Sequence, residues 1–136
     1  MIANRFTMIH PGDMILVDFG TTSVRCQVMG RHPAFVVSYD DLGRVARYLL
    51  VIPAFRKPSD GAGGSDVVIK SRCCTGLRYD MYLDVTNIQK VERHRVLEKL
   101  GHVSENGIME MVRSAFYDRI GRTDERRERD AGEDED

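Results

Sequence analysis

The chain has 136 residues, 42% of them hydrophobic, and a net charge of −1. This length suits a single domain with an ordinary core that needs no disulfide or metal to hold it together. No run of about 18 apolar residues is present, which excludes a membrane-spanning helix, and Met1–His10 lacks the apolar segment of a signal peptide, so we expect a cytoplasmic protein.

The first half of the chain predicts strands separated by polar turns. The turn Pro11–Asp13 precedes an apolar run, a polar loop covers 20–32, and Pro33 suits the first position of the next strand. The three strands predicted here are Met14–Phe19, Ala34–Tyr39 and Tyr48–Pro53.

The second half predicts further strands and then one helix. A glycine-rich loop over 57–65 precedes strands at Asp66–Lys70 and Arg78–Val85, and Asn87–Glu92 continues the sheet. Ser104 is the predicted N-cap of the helix and Gly121 its end. The apolar stripe expected to face the core consists of Ile108, Met111, Val112, Ala115, Phe116 and Ile120.

These elements predict a mainly β, α+β fold: a small barrel with a C-terminal helix. We expect an N-terminal extension over 1–10, one domain over 11–121 and a disordered acidic tail over 122–136, which is nearly free of apolar residues. The tail holds four Arg and eight Asp or Glu, which leaves a net charge of +3 on the rest of the chain. Such a body suits weak binding of a polyanion.

The three cysteines, Cys26, Cys73 and Cys74, have no Cys-x-x-Cys or Cys/His spacing typical of a zinc site. We therefore expect reduced thiols, no metal site and no cofactor.

Several segments, in order, resemble the MazF/PemK family of toxins. They cover roughly 11–121 and are Gly12–Phe19 (GDMILVDF), Gly30–Ser38 (GRHPAFVVS), Val51–Ala54 (VIPA), Gly76–Asp80 (GLRYD), Asn87–Val91 (NIQKV) and Arg95–Val103 (RVLEKLGHV). The resemblance implies a small SH3-like barrel of the MazF/CcdB type and a homodimer. It also implies a toxin of a type II toxin–antitoxin system that cleaves single-stranded RNA without a metal. An antitoxin protein would block the site, and the pair would bind operator DNA.

The resemblance also implies where the site lies, and there the sequence differs from the family. His32 stands before Pro33 where the family has Arg, Phe55 stands where it has Thr, and Gln89 stands where it has a second Arg. An imidazole titrates near neutral pH, so we predict His32 as the acid/base, with Arg31 and Arg56 contacting phosphate. The predicted RNA-binding residues are Arg25, Gln27, Phe55, Lys57 and Gln89.

Other interpretations stay open. The altered positions also suit a catalytically degenerate relative that binds an antitoxin, nucleic acid or a protein target without cleaving. His32 can be a surface residue and Phe55 a core residue, and we place the basic run Arg93–Arg95 at the surface or a dimer edge. The acidic tail could instead cover the basic groove and mimic RNA.

Overall fold

The computed structural model describes residues 8–21, 28–39, 47–58 and 67–133, with the backbone alone described at 39 and over 122–133. Seven strands and one α-helix lie in these ranges. They are β1 Asp13–Asp18, β2 Arg31–Tyr39, β3 Tyr48–Phe55, β4 Val67–Ile69, β5 Met81–Leu83, β6 Gln89–Glu92, β7 Val96–His102 and α1 Ile108–Glu133. Short 3₁₀ turns occupy Ser71–Cys73 and Arg93–Arg95.

The strands form one curled antiparallel sheet in the order β4-β5-β3-β2-β1-β7, and β6 pairs with the first half of β3. The strand β3 is the hub, since it pairs with β2 along one edge and with β6 and then β5 along the other. The sheet makes a half-barrel with a single C-terminal helix, which confirms the predicted fold class.

Two apolar clusters lie on the two faces of the sheet. Successive strand side chains point to opposite faces, so β3 gives Ile52 and Ala54 to one cluster and Leu49 and Val51 to the other. The first cluster includes Ile108 of α1 and is covered by the helix. The second lies on the other face, and its members are Ile15, Val17, Ala34, Val36, Leu49, Val51, Val91 and Val96.

The structure corrects several strand predictions. Strand β2 begins at Arg31, inside the predicted loop 20–32, and β3 continues past Pro53 to Phe55, so Arg31, His32 and Phe55 lie in strands. Within Arg78–Val85 only Met81–Leu83 forms a strand, and Tyr79 is 52% exposed rather than buried on the same face as Met81. Strand β7 was not predicted, because Glu98, Lys99 and Gly101 break the apolar alternation of VLEKLGH. It pairs with β1 through two register irregularities, so no simple period marks it.

The helix prediction was wrong at both ends. Helix α1 begins at Ile108, and its first turn closes with Met111 N donating to Gly107 O; Ser104 instead donates its hydroxyl to Cys73 O at 3.1 Å. Gly121 does not end the helix, whose backbone continues to Glu133 across residues expected to be disordered. Arg, Glu and Ala are strong helix formers, which accounts for the continuation.

Only the start of the predicted apolar stripe faces the core. Ile108 and Val112 are buried, whereas Met111 and Ile120 are 44% and 39% exposed. In the part of the chain that the structure describes, no helix is long and apolar enough to cross a bilayer.

Candidate active site

Three aromatic side chains form a row across β2, β3 and β5. Ala34 of β2 lies opposite Pro53 of β3, so the same register brings His32 opposite Phe55. Their ring centroids are 5.8 Å apart with planes tilted by 54°. Phe55 in turn lies opposite Tyr82 of β5. Directly opposite residues share a face of the sheet, so His32, Phe55 and Tyr82, which we call the aromatic row, form one partly exposed surface.

The aromatic row lies at one end of the half-barrel, where β1 ends. Val17 of β1 pairs with His32, and the next turn is held by Phe19 N donating to Gly30 O and by Gly30 N donating to Gly20 O, both at 2.9 Å. The predicted RNA-binding residues Arg25 and Gln27 fall within 22–27, outside the described residues.

Of the predicted catalytic residues, Arg31 and His32 point to opposite faces. They are consecutive in β2, and alternation sends neighbouring side chains to the two sides of a strand. Arg31 is exposed, and the strand register places it opposite Asp18 of β1. The one-residue shift between Arg31 and the family's Arg position therefore changes the face that the guanidinium occupies.

Arg56 directly follows the aromatic row at the end of β3. Its guanidinium carbon lies 3.9 Å from the centroid of the Tyr79 ring, in a cation–π stack on the protein surface. Lys57 comes next and is exposed. The end of β3 thus brings an aromatic ring and two cations together, a combination suited to a base and its phosphate.

Gln89 lies away from the aromatic row. It pairs with Val51, four residues before Phe55 on β3, a distance of about 13 Å along the strand. Its amide nitrogen donates to Asn87 Oδ1 at 3.1 Å. The resemblance therefore groups Gln89 with Phe55 as RNA-binding residues, but the sheet places them apart along β3.

The basic run Arg93–Arg95 lies between β6 and β7. His94 pairs with Glu92 at 3.1 Å on the exposed surface. Arg95 donates to the carbonyl of Asp18 at 3.3 Å, which links the start of β7 to the end of β1. These contacts fit the predicted surface position.

The Gly12–Asp13 pair contributes a buried carboxylate at the far end of β1, about 17 Å along the strand from the His32 end. Asp13 is 1% exposed, and its oxygens accept from His10 N and His102 Nδ1, both at 2.7 Å, with Lys99 Nζ at 3.2 Å. Sequence reasoning gave no role to His102, since its partner Asp13 is 89 residues away in the chain. It gave none to His10 either, which contacts Asp13 through its backbone N–H. This cluster anchors the N-terminal turn to β7.

Two titratable groups in the β4–β5 connection depart from their ordinary values. The backbone N–H of Ser71 and the nearby Lys70 ammonium lower the pKa of Asp80, whereas burial raises the pKa of the Cys74 thiol. Among the described residues, no group of three or more His, Cys, Asp or Glu side chains is placed to hold a metal ion.

Sequence comparison matches residues 10–118 to the family described as PemK-like, MazF-like toxins of type II toxin–antitoxin systems. The chain belongs to this toxin family. No curated protein matches the sequence.

A solved structure with the same fold is described as an endoribonuclease in complex with its cognate antitoxin from a mycobacterial species. The alignment has a TM-score of 0.61 and 17% identity, and covers 84% of this chain and 96% of that one. At this identity the likeness establishes the fold, which confirms the predicted MazF-type barrel. In this toxin-family fold two of the three positions singled out from the resemblance, 32 and 55, are in direct contact.

Proposed function

We propose that this toxin-family chain is an endoribonuclease that cleaves single-stranded RNA at the aromatic row. The contact between His32 and Phe55 carries the proposal, because it places an imidazole beside a ring that can stack a base. Arg56 and Lys57 adjoin this contact and supply positive charge for a phosphate.

The proposed chemistry uses the 2′-hydroxyl of the substrate as nucleophile. Neutral His32 accepts the 2′-hydroxyl proton as the oxygen attacks the adjacent phosphorus. The bond from phosphorus to the 5′-oxygen breaks, the imidazolium returns a proton to that oxygen, and a 2′,3′-cyclic phosphate remains. A guanidinium stabilises the charge on the phosphoryl oxygens during the reaction.

Arg56 is better placed than Arg31 for the phosphate role. Arg56 lies one residue beyond the end of β3 and is held over the Tyr79 ring, while Arg31 lies within β2 on the face away from His32. We therefore assign the main phosphate contact to Arg56 and a secondary one, around the strand end, to Arg31. Phe55 and Lys57, together with Arg25 and Gln27, would bind neighbouring nucleotides, and Gln89 would contact a more distant one.

The direct test is cleavage of a mixed single-stranded RNA in EDTA by the purified chain. We expect cyclic-phosphate ends from the wild type and a rate lower by about 10²- to 10⁴-fold in His32→Ala, the range of general acid–base contributions. Arg56→Ala should be more impaired than Arg31→Ala. The exposed His94 provides the matched control, since His94→Ala leaves the row intact.

Undiminished cleavage by a folded His32→Ala variant would overturn the assignment of His32. RNA binding without any cleavage by the wild type would instead support the degenerate interpretation. Circular dichroism of each variant separates loss of chemistry from loss of fold.

We further propose an antitoxin protein as partner, a homodimer in the cytoplasm, and operator DNA as a ligand of the toxin–antitoxin pair. Family membership and the antitoxin complex of the similar structure support this. Exposed apolar side chains on α1, at Met111, Tyr117 and Ile120, offer surface that a protein partner can cover. Co-purification with the product of an adjacent reading frame and sedimentation of the purified chain test the partner and the dimer.

A further inference from the structure

The connection between β4 and β5 carries a concentration of exposed positive charge around one tyrosine. Tyr79 is 52% exposed, and Arg56 stacks on its ring at 3.9 Å. The exposed cations of the connection are Lys70, Arg72 and Arg78. Asp80, its one acidic residue, is paired with Lys70 at 3.5 Å. The surface around Tyr79 is therefore suited to an anionic ligand.

Stacking on Tyr79 orients Arg56 without using its hydrogen-bond donors. A guanidinium that lies over a ring keeps its N–H groups in the plane, directed outward at the edge. Within the described part of the chain, Arg56 makes no ion pair or hydrogen bond. Its donors thus remain available for a bidentate contact with a phosphate.

The tyrosine itself is held on a fixed loop. Asp80 accepts from Ser71 N at 2.9 Å, which joins the two ends of the connection. Leu77 is buried and donates its N–H to Cys74 O at 3.1 Å, and Gly76 lies against the backbone of Leu100 in β7. Tyr79 can therefore act as a preorganised support rather than a mobile side chain.

From this geometry we propose that Tyr79 positions Arg56, so that the two residues form the subsite for the phosphodiester next to the nucleotide on the aromatic row. This subsite rests on the proposed RNA-binding function. Phe55 lies opposite Tyr82 of β5, and Tyr79 precedes Tyr82 by three residues. The Arg56–Tyr79 pair therefore lies at the same end of β3 as Phe55, where it can meet the phosphate next to a base stacked on that ring. The cations of the β4–β5 connection extend the same path for the backbone. Tyr79 is a positioning residue in this subsite.

The test measures binding rather than cleavage. A fluorescent decanucleotide of 2′-O-methyl RNA lacks the nucleophile, and its affinity is determined by anisotropy over a range of salt concentrations. Each phosphate contact with a single strand contributes about 0.7 to the slope of log K against log salt. We expect Arg56→Gln to reduce that slope by about 0.7 and the affinity by about threefold to tenfold.

Two variants of the support separate positioning from folding. Tyr79→Phe keeps the ring and should bind as the wild type does, whereas Tyr79→Leu should lose part of the Arg56 effect. The matched control is Lys90→Gln, because Lys90 also lies over a tyrosine ring, that of Tyr48, at 4.2 Å. Tyr48 is seven residues from Phe55, about 23 Å along β3, so this variant should not alter binding.

An unchanged salt slope in Arg56→Gln, or no binding of the decanucleotide by the wild type, overturns the subsite. An equal loss of affinity in Lys90→Gln and Arg56→Gln also overturns the subsite, since it would show that binding depends on positive charge anywhere on the surface and not on the position of Arg56. Binding that depends on Arg56 in a chain that cleaves no RNA would retain the subsite and refute the proposed nuclease activity. RNA cleavage by a chain whose salt slope for binding does not depend on Arg56 would retain the proposed nuclease activity and refute the subsite.

Discussion

The buried carboxylate of Asp13 offers a sharp test of what the Gly-Asp segment does. Asp13 holds the N-terminal turn through His10 N and holds β7 through Lys99 and His102. Asp13→Asn keeps the shape of the side chain and removes its charge. It also turns an NH₂ group toward donors that need an acceptor, so we expect a loss of stability with no direct effect on the aromatic row.

The magnitude follows from the burial of each partner. Loss of a bond from a backbone N–H to a buried carboxylate costs about 2 kcal/mol. The side chains of Lys99 and His102 are 31% and 60% exposed and regain water, so each of their pairs adds only about 0.5 kcal/mol. The total of about 3 kcal/mol is at the low end for breaking a buried ion pair. For a domain of this size it corresponds to a melting temperature lower by about 10 °C.

Urea unfolding followed by circular dichroism measures the change. Glu98→Gln, at an exposed position of the same strand β7, is the control and should alter the free energy of unfolding by less than about 0.5 kcal/mol. If Asp13→Asn lowers the free energy of unfolding by no more than this control does, the anchoring role of Asp13 is refuted. RNA cleavage per folded molecule should be retained, and its selective loss would instead place Asp13 in the active site.

Three glycine and cysteine substitutions test other contacts. A Cβ at Gly76 would lie 2.1 Å from a backbone oxygen of β7, so Gly76→Ala should lower the melting temperature, while Gly121→Ala meets open space inside α1 and should raise stability by about 1 kcal/mol. A less stable Gly121→Ala would mean that the helix ends at Gly121. Burial raises the pKa of Cys74, so iodoacetamide should modify Cys73 before Cys74 at neutral pH. The stability gained from keeping the Cys74 thiol neutral is complete below the unfolded thiol pKa of about 8.5 and declines as pH rises from there through the raised folded value. The difference in unfolding free energy between wild type and Cys74→Ala should therefore narrow at high pH. A difference that widens would contradict the raised pKa of the Cys74 thiol.

Local pattern was enough to predict most of the sheet. The apolar runs that begin at Met14, Ala34 and Tyr48 became β1, β2 and β3, because strands buried on both faces need continuous apolar residues. The order of these runs, with the terminal helix, also predicted the fold class, and the resemblance of several segments predicted the family. Strand β7 was not predicted because its pairing with β1 is irregular, and both ends of α1 were misplaced.

The arrangement of the site depended on the tertiary structure. His32 and Phe55 are 23 residues apart, and so are Arg56 and Tyr79. The pairing of β2 with β3 makes the first pair neighbours, and the pairing of β3 with β5 brings the second pair together. Asp13 and His102 are 89 residues apart and meet because β1 pairs with β7. The sequence alone determined which chemical groups the protein carries, and it identified His32 and Phe55 as the positions to compare. Strand register decided that those two share a face while Arg31 points away from it, because a shift of one residue moves a side chain to the other side of a sheet.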